Sequence, residues 1–214
     1  MISCRRTGNG LPEVLCEVSL AAREISPTGR LTDRFAPHCT GQVVLDGGQV
    51  RAGKDFPDFP VRPDELQTRP MDSQTMREWY RNHSGLKGRY RVIELLEGAG
   101  PGVIRGRTTY RQIDDFATLS GTQYQYSPYL FEALLQLTGF YCVAMKIPEK
   151  RSMIPMEIGE MRFFRKCREG EQLSLEARLQ TQDDQGLTWN ARGLDGHGHT
   201  IMQVSNMRMH WVAD

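Results

Sequence analysis

The chain has 214 residues, a formal net charge of +1 and 39% hydrophobic residues, which suits one large domain or two small ones. The balanced charge argues against a nucleic-acid-binding protein, and neither a hydrophobic leader nor a membrane span is predicted from these residues. Five widely spaced cysteines without a CxxC pair indicate reduced thiols, so the sequence predicts a cytoplasmic protein.

Residues 1–45 are predicted to contain strands. Apolar residues alternate along the first of them: Val14, Cys16, Val18 and Leu20. A second strand is predicted at 38–45, and the proline-rich stretch 46–72 is typical of a linker between packed units. The strands offer an apolar face with no helix of their own to cover it. We therefore expect a complementing half-domain or a homodimer.

The chain becomes more regular after the linker. A short helix is predicted to begin at Asp72 or Ser73, either of which can cap it, and to end at Arg81. Two strands follow at 89–96 and 103–110, joined by a glycine-rich turn.

Residues 127–145 are apolar on nearly every side, which predicts a helix buried inside the fold, with Ser127 as its N-cap. The helix carries one carboxylate, Glu132, and one amide, Gln136, four residues apart and therefore on one face. Burial of a carboxylate favours its protonated form, so Glu132 is predicted to hold a proton near neutral pH, as acid catalysis requires. The alternative is a structural glutamate satisfied by Gln136 or by backbone groups.

Four further strands are predicted after this helix, at 156–166, 173–179, 188–194 and 200–212. The last two are expected to pair across the turn at Asp195-Gly196. An antiparallel sheet that curls around one central helix accounts for this order. The sequence therefore predicts an α+β protein with the hotdog fold.

Several short motifs, in the same order, resemble those of polyketide synthase dehydratase domains, which are double hotdogs. Residues 127–136 are similar to the family's hPxLLDxxxQ helix start, and 194–200 resemble its xDxxGxxV hairpin. The remaining similarities are at 38–43 (HATGRV), 76–93 (the opening of the second hotdog) and 154–156 (LPF). The resemblance implies that 1–45 are the C-terminal strands of an incomplete first hotdog. It also implies that 46–72 are a linker and 73–214 the second hotdog.

The resemblance implies a lyase that removes water from 3-hydroxyacyl thioesters carried on an acyl carrier protein, alongside other synthase domains. Glu132 would be the catalytic acid and Gln136 would orient it, while Pro128, Tyr129 and Phe131 would line the acyl channel. No cofactor is expected beyond the phosphopantetheine of the carrier protein.

The chain departs from the family pattern at both catalytic positions. The family's acid is an aspartate where this chain has Glu132, and the family's histidine motif, HxxxGxxxxP, does not occur in the sequence. We therefore expect that the chain begins midway through the first hotdog and that the base comes from elsewhere. Two alternatives stay open: a non-catalytic hotdog that binds acyl-carrier intermediates, and a hotdog thioesterase whose carboxylate activates water.

Two other patterns offer candidate sites. His197 and His199 form an HxH pair in a glycine-rich turn, where a solvated turn is favoured over a metal site. Basic residues cluster twice and suit either a docking surface for an acidic carrier protein or ordinary solvated strands, which we favour. The clusters are Arg105, Arg107 and Arg111, and Arg162, Arg165, Lys166 and Arg168.

Overall fold

The computed structural model describes residues 2–7, 13–26, 28, 30–46, 59–83, 86, 88–111, 128–147 and 152–212. The chain divides into two compact units, Met1–Pro57 and Asp58–Asp214. The boundary lies inside the predicted linker, of which residues 47–58 are outside the described ranges.

The first unit is a three-stranded antiparallel sheet in the order β1-β2-β3. Its strands are β1 (Ile2–Thr7), β2 (Glu13–Ile25) and β3 (Leu31–Asp46). The two predicted strands correspond to β2 and β3, which are longer than expected. Strand β1 was not predicted, because its polar sequence has no apolar alternation.

In its described residues, the second unit contains two α-helices and a six-stranded antiparallel sheet in the order β4-β5-β7-β8-β9-β6. Its elements are α1 (Ser73–His83), β4 (Leu95–Gly100), β5 (Val103–Thr109), α2 (Pro128–Ala144), β6 (Ser152–Phe163), β7 (Gln172–Gln182), β8 (Gly186–Leu194) and β9 (Thr200–Val212). Helix α2 packs against β4, β5, β7 and β8. This is the predicted arrangement of one long helix on an antiparallel sheet. No helix in the described ranges has the length and apolar character needed to cross a membrane.

Helix α2 buries one side completely, with Leu130, Leu134 and Leu137 among the most buried side chains of the core. The opposite side, which includes Glu132 and Gln136, is only half-buried. The predicted burial on all sides is therefore wrong. The sheet covers one side of the helix, and the apolar sequence alone does not reveal which side is left partly open.

The predicted strand at 89–96 is mostly absent, since a 3₁₀ turn spans Gly88–Tyr90 and β4 begins only at Leu95. Of the backbone N–H groups between them, that of Glu94 donates to the carbonyl of Arg107 in β5, whereas two others donate to side chains. The N–H of Val92 donates to Gln136 Oε1 and that of Ile93 donates to the Tyr80 hydroxyl. Backbone groups must find partners when buried, and here those partners belong to the candidate site described next.

Residues 59–72, the second half of the predicted linker, pack within the second unit. Phe59 and Val61 are buried, and the N–H groups of Gln67 and Thr68 both donate to the carbonyl of Ala99. Met71 forms an isolated bridge with Leu96. These contacts explain why the second unit begins before the predicted start at residue 73.

Candidate active site

Glu132 and Gln136 lie one turn apart on α2, on its half-buried side. Gln136 Nε2 donates a hydrogen bond of 2.6 Å to Glu132 Oε1. Within the described residues, Gln136 is the only hydrogen-bond partner of the Glu132 carboxylate. The spacing in the sequence placed the two residues on one face, and a structural glutamate satisfied by Gln136 was the alternative to a catalytic acid.

Gln136 is held by three further groups. Its Nε2 donates to the carbonyl of Tyr90 at 2.6 Å, so both of its amide hydrogens are used. Its Oε1 accepts from the hydroxyl of Tyr80 at 2.5 Å and from the N–H of Val92 at 3.5 Å. Both the nitrogen and the oxygen of the amide that contacts Glu132 are therefore held by hydrogen bonds.

Tyr80 reaches this site from α1, which is capped by Asp72 through a 2.8 Å hydrogen bond from the Thr75 N–H. The Tyr80 side chain is 2% exposed, and burial raises the pKa of its hydroxyl. Its ring packs edge-on against Phe140 of α2, with the ring centroids 5.4 Å apart. Sequence reasoning placed Tyr80 on a helix but missed its role, because its partner lies 56 residues away.

The three predicted channel residues differ in how deeply they are buried. Pro128 is half-buried and lies four residues before Glu132, on the same side of α2, whereas the half-buried Phe131 packs against the core. Tyr129 is 4% exposed and belongs to the core, where its hydroxyl contacts Thr108 Oγ1 at 2.9 Å. The predicted N-cap of this helix, Ser127, lies outside the described residues.

The histidines of the second unit are spread over three of its elements. His83 ends α1 and stacks on Trp79, His197 and His199 occupy the β8–β9 turn, and His210 lies in β9. No hydrogen bond or ion pair joins a histidine to Glu132 among the described residues. The local partner of the carboxylate is therefore an amide.

The HxH pair belongs to a tight turn organised by Asp195. Asp195 Oδ1 accepts from the backbone N–H groups of His197 and His199, each at 2.9 Å. Asp195 Oδ2 accepts from Arg165 at 3.0 Å. In the part of the chain that the structure describes, no group of three His, Cys, Asp or Glu side chains could hold a metal ion.

Several residues of the two basic clusters face carboxylates. Arg105 lies 3.1 Å from Glu97, and Arg111 lies 3.1 Å from Glu94. Arg165 is bound by Glu171 as well as by Asp195. Paired guanidinium groups of this kind leave less positive charge for an acidic partner.

A family model described as the polyketide synthase dehydratase N-terminal domain matches residues 58–214, which coincide with the second unit. No curated protein gives a significant match to the chain. Because the description names an N-terminal domain, the assignment of residues 73–214 to the second of two hotdogs stays a prediction.

Solved structures of dehydratase domains share the fold at low sequence identity. The dehydratase domain from the CurJ module of curacin polyketide synthase is 15% identical with a TM-score of 0.64, over 99% of this chain and 68% of that one. The dehydratase domain of PpsC from Mycobacterium tuberculosis is also 15% identical, with a TM-score of 0.64, over 98% and 67%. A trans-AT polyketide synthase dehydratase domain from Brevibacillus brevis is 13% identical, with a TM-score of 0.62, over 99% and 68%. These likenesses confirm the predicted hotdog fold.

Proposed function

This chain belongs to the polyketide synthase dehydratase family, and we propose that it removes water from a 3-hydroxyacyl thioester carried on an acyl carrier protein. The observation that carries the proposal is the Glu132 carboxylate, half-buried on the central helix and bound by Gln136 at 2.6 Å. The family resemblance puts the catalytic acid at this position of the helix.

The reaction explains the need for such a group. Hydroxide is a poor leaving group, so an acid must protonate the β-hydroxyl as the Cβ–O bond breaks. We assign this role to Glu132, with Gln136 orienting its carboxyl group. The α-proton needs a base, and since the HxxxGxxxxP motif does not occur in this sequence, we assign the base to an imidazole from outside this chain.

The acyl group would pass along the half-buried side of α2, beside Pro128 and Phe131. One solved structure of the PpsC dehydratase domain is described as a complex with C12:1-CoA, an acyl thioester. A thioester on a phosphopantetheine arm is the same class of ligand, and it needs no further cofactor. The partners would be an acyl carrier protein and the other domains of a synthase.

The test supplies the base separately. The chain is incubated with a 3-hydroxyacyl pantetheine thioester and increasing imidazole, and the enoyl product is measured by mass spectrometry. Imidazole-dependent product that is abolished by Glu132→Gln supports the proposal. A rate that is unchanged by Glu132→Gln would contradict the assignment of Glu132 as acid.

A second candidate is a non-catalytic hotdog that binds acyl-carrier intermediates. It is favoured by one observation, that no hydrogen bond or ion pair joins Glu132 to a histidine within the described residues. Saturable binding of acyl carrier protein, with no product at any imidazole concentration, would support it. Release of free thiol without enoyl product would instead indicate a hotdog thioesterase.

A further inference from the structure

The Gln136 amide can take only one orientation in this site. The carbonyl of Tyr90 can only accept, so it requires Nε2, and the N–H of Val92 can only donate, so it requires Oε1. A half-turn of the amide would set two acceptors together at Tyr90 and two donors together at Val92. Both backbone groups therefore oppose the flipped amide.

The direction of the Tyr80 hydrogen bond is equally determined. The N–H of Ile93 donates to the Tyr80 oxygen at 3.1 Å, which leaves the hydroxyl proton for Gln136 Oε1. Burial raises the pKa of this hydroxyl, so the phenol keeps that proton. The hydrogen bonds consequently run one way, from Ile93 through Tyr80 and Gln136 to Glu132.

We propose that Tyr80 is a positioning residue that makes Gln136 a permanent donor to Glu132 Oε1, so that the transferable proton is carried by Oε2. In a protonated carboxyl group the carbonyl oxygen is the stronger acceptor, so a Gln136 that always donates to Oε1 favours the proton on Oε2. This inference rests on the proposed function for its chemistry, and on the hydrogen bonds alone for its geometry.

In the step that this arrangement serves, the Oε2–H bond of Glu132 breaks and the proton moves to the β-hydroxyl oxygen. The Cβ–O bond breaks and its electron pair leaves with water. The external imidazole takes the α-proton, and the electron pair of the Cα–H bond forms the double bond between Cα and Cβ. Glu132 ends as a carboxylate that Gln136 still binds at Oε1.

The geometry is tested by NMR on the ¹⁵N-labelled chain, without turnover. The Gln136 side-chain amide is identified by its disappearance in Gln136→Met, and its hydrogen exchange is compared between wild type and Tyr80→Phe. Loss of the hydroxyl should speed exchange by roughly tenfold, the equivalent of one hydrogen bond. Tyr90→Phe is the matched control, because Gln136 binds the backbone carbonyl of Tyr90, which that variant retains.

An exchange rate that is the same in wild type and Tyr80→Phe would overturn the inference. If Tyr80→Phe does not fold, the test is made on the wild type. Its Tyr80 hydroxyl proton should exchange slowly and show a nuclear Overhauser effect to the side-chain amide of Gln136. The lack of that signal would also overturn it.

The kinetic arm separates this inference from the proposed function. In the imidazole-supplemented assay, Tyr80→Phe should lower kcat about tenfold while KM changes less than about twofold, since a positioning effect acts on the chemical step. An equal loss in Tyr90→Phe would contradict a specific role for Tyr80. If the wild type forms no enoyl product, the proposed function fails. The positioning of Gln136 by Tyr80 is then tested by the hydrogen exchange of the Gln136 amide alone.

Discussion

Leu130 of α2 packs directly on Gly193 of β8, so closely that a Cβ on Gly193 would lie 2.6 Å from Leu130 Cδ1. A second contact of this kind joins Leu137 to Gly106 of β5, where a Cβ would lie 3.0 Å from Leu137 Cδ1. The two glycines let the helix approach the sheet closely. Because Glu132 and Gln136 are on the same helix, these contacts also set the depth of the candidate site.

We predict that Gly193→Ala destabilises the protein by about 1–3 kcal/mol, the usual cost of forcing an extra methyl group into a packed core. Thermal or urea unfolding of the purified variant measures the change. Gly196→Ala is the matched control, since no atom lies within 4 Å of the position of its Cβ. Equal stability of Gly193→Ala and wild type would show that α2 can move away from the sheet without cost.

Local sequence patterns suffice to predict single elements and the residues that share a helix face. The hairpin signal at Asp195-Gly196 predicted β9 with its observed bounds, Thr200–Val212, and helical spacing placed Glu132 and Gln136 on one face. Both patterns are local. The contacts of Gln136 with Tyr80 and Val92 span 56 and 44 residues, and no periodicity encodes such pairings. The half-buried state of Glu132 was missed for a related reason, since the exposed side of an apolar helix depends on what packs against it.

The length of the acidic side chain should matter at position 132. Asp is the family's residue there, but in this chain Glu132→Asp withdraws the carboxyl by one methylene from Gln136 Nε2, now at 2.6 Å. We expect the imidazole-supplemented dehydration rate to fall about tenfold, because orientation of the acid is lost while its chemistry is retained. Glu132→Gln keeps the shape without the acidic proton and should cost about 100-fold or more. A Glu132→Asp variant as slow as Glu132→Gln would show that position, not acidity, limits the rate.

The two half-buried thiols of the second unit should react slowly. Burial raises the pKa of Cys142 and that of Cys167 to about 11 each, so few thiolates form near neutral pH. At pH 8 we expect iodoacetamide to modify both about 100-fold more slowly than an unperturbed thiol of pKa near 8.5. Peptide mass spectrometry over time measures the rates, with exposed Cys39 as the internal reference. Rates equal to that of Cys39 would indicate that the second unit opens readily around α2.

The β8–β9 turn should make stability depend on pH in the acidic range. Burial alone would raise the pKa of Asp195, but hydrogen bonds from the His199 N–H and from Arg165 hold it well below its usual range. A carboxyl group whose pKa is lower in the folded than in the unfolded state stabilises the fold above its unfolded value, near 4, and this contribution is lost as the pH falls further.

Asp195→Asn should therefore lower Tm by a few degrees at pH 7, and the difference from wild type should shrink progressively below about pH 4. Scanning calorimetry from pH 7 to acid measures both curves. Asp184→Asn, at an exposed position in the β7–β8 turn, is the control and should follow wild type throughout. If Asp195→Asn keeps a constant difference down to the lowest pH, the stabilising contacts of Asp195 do not depend on its charge.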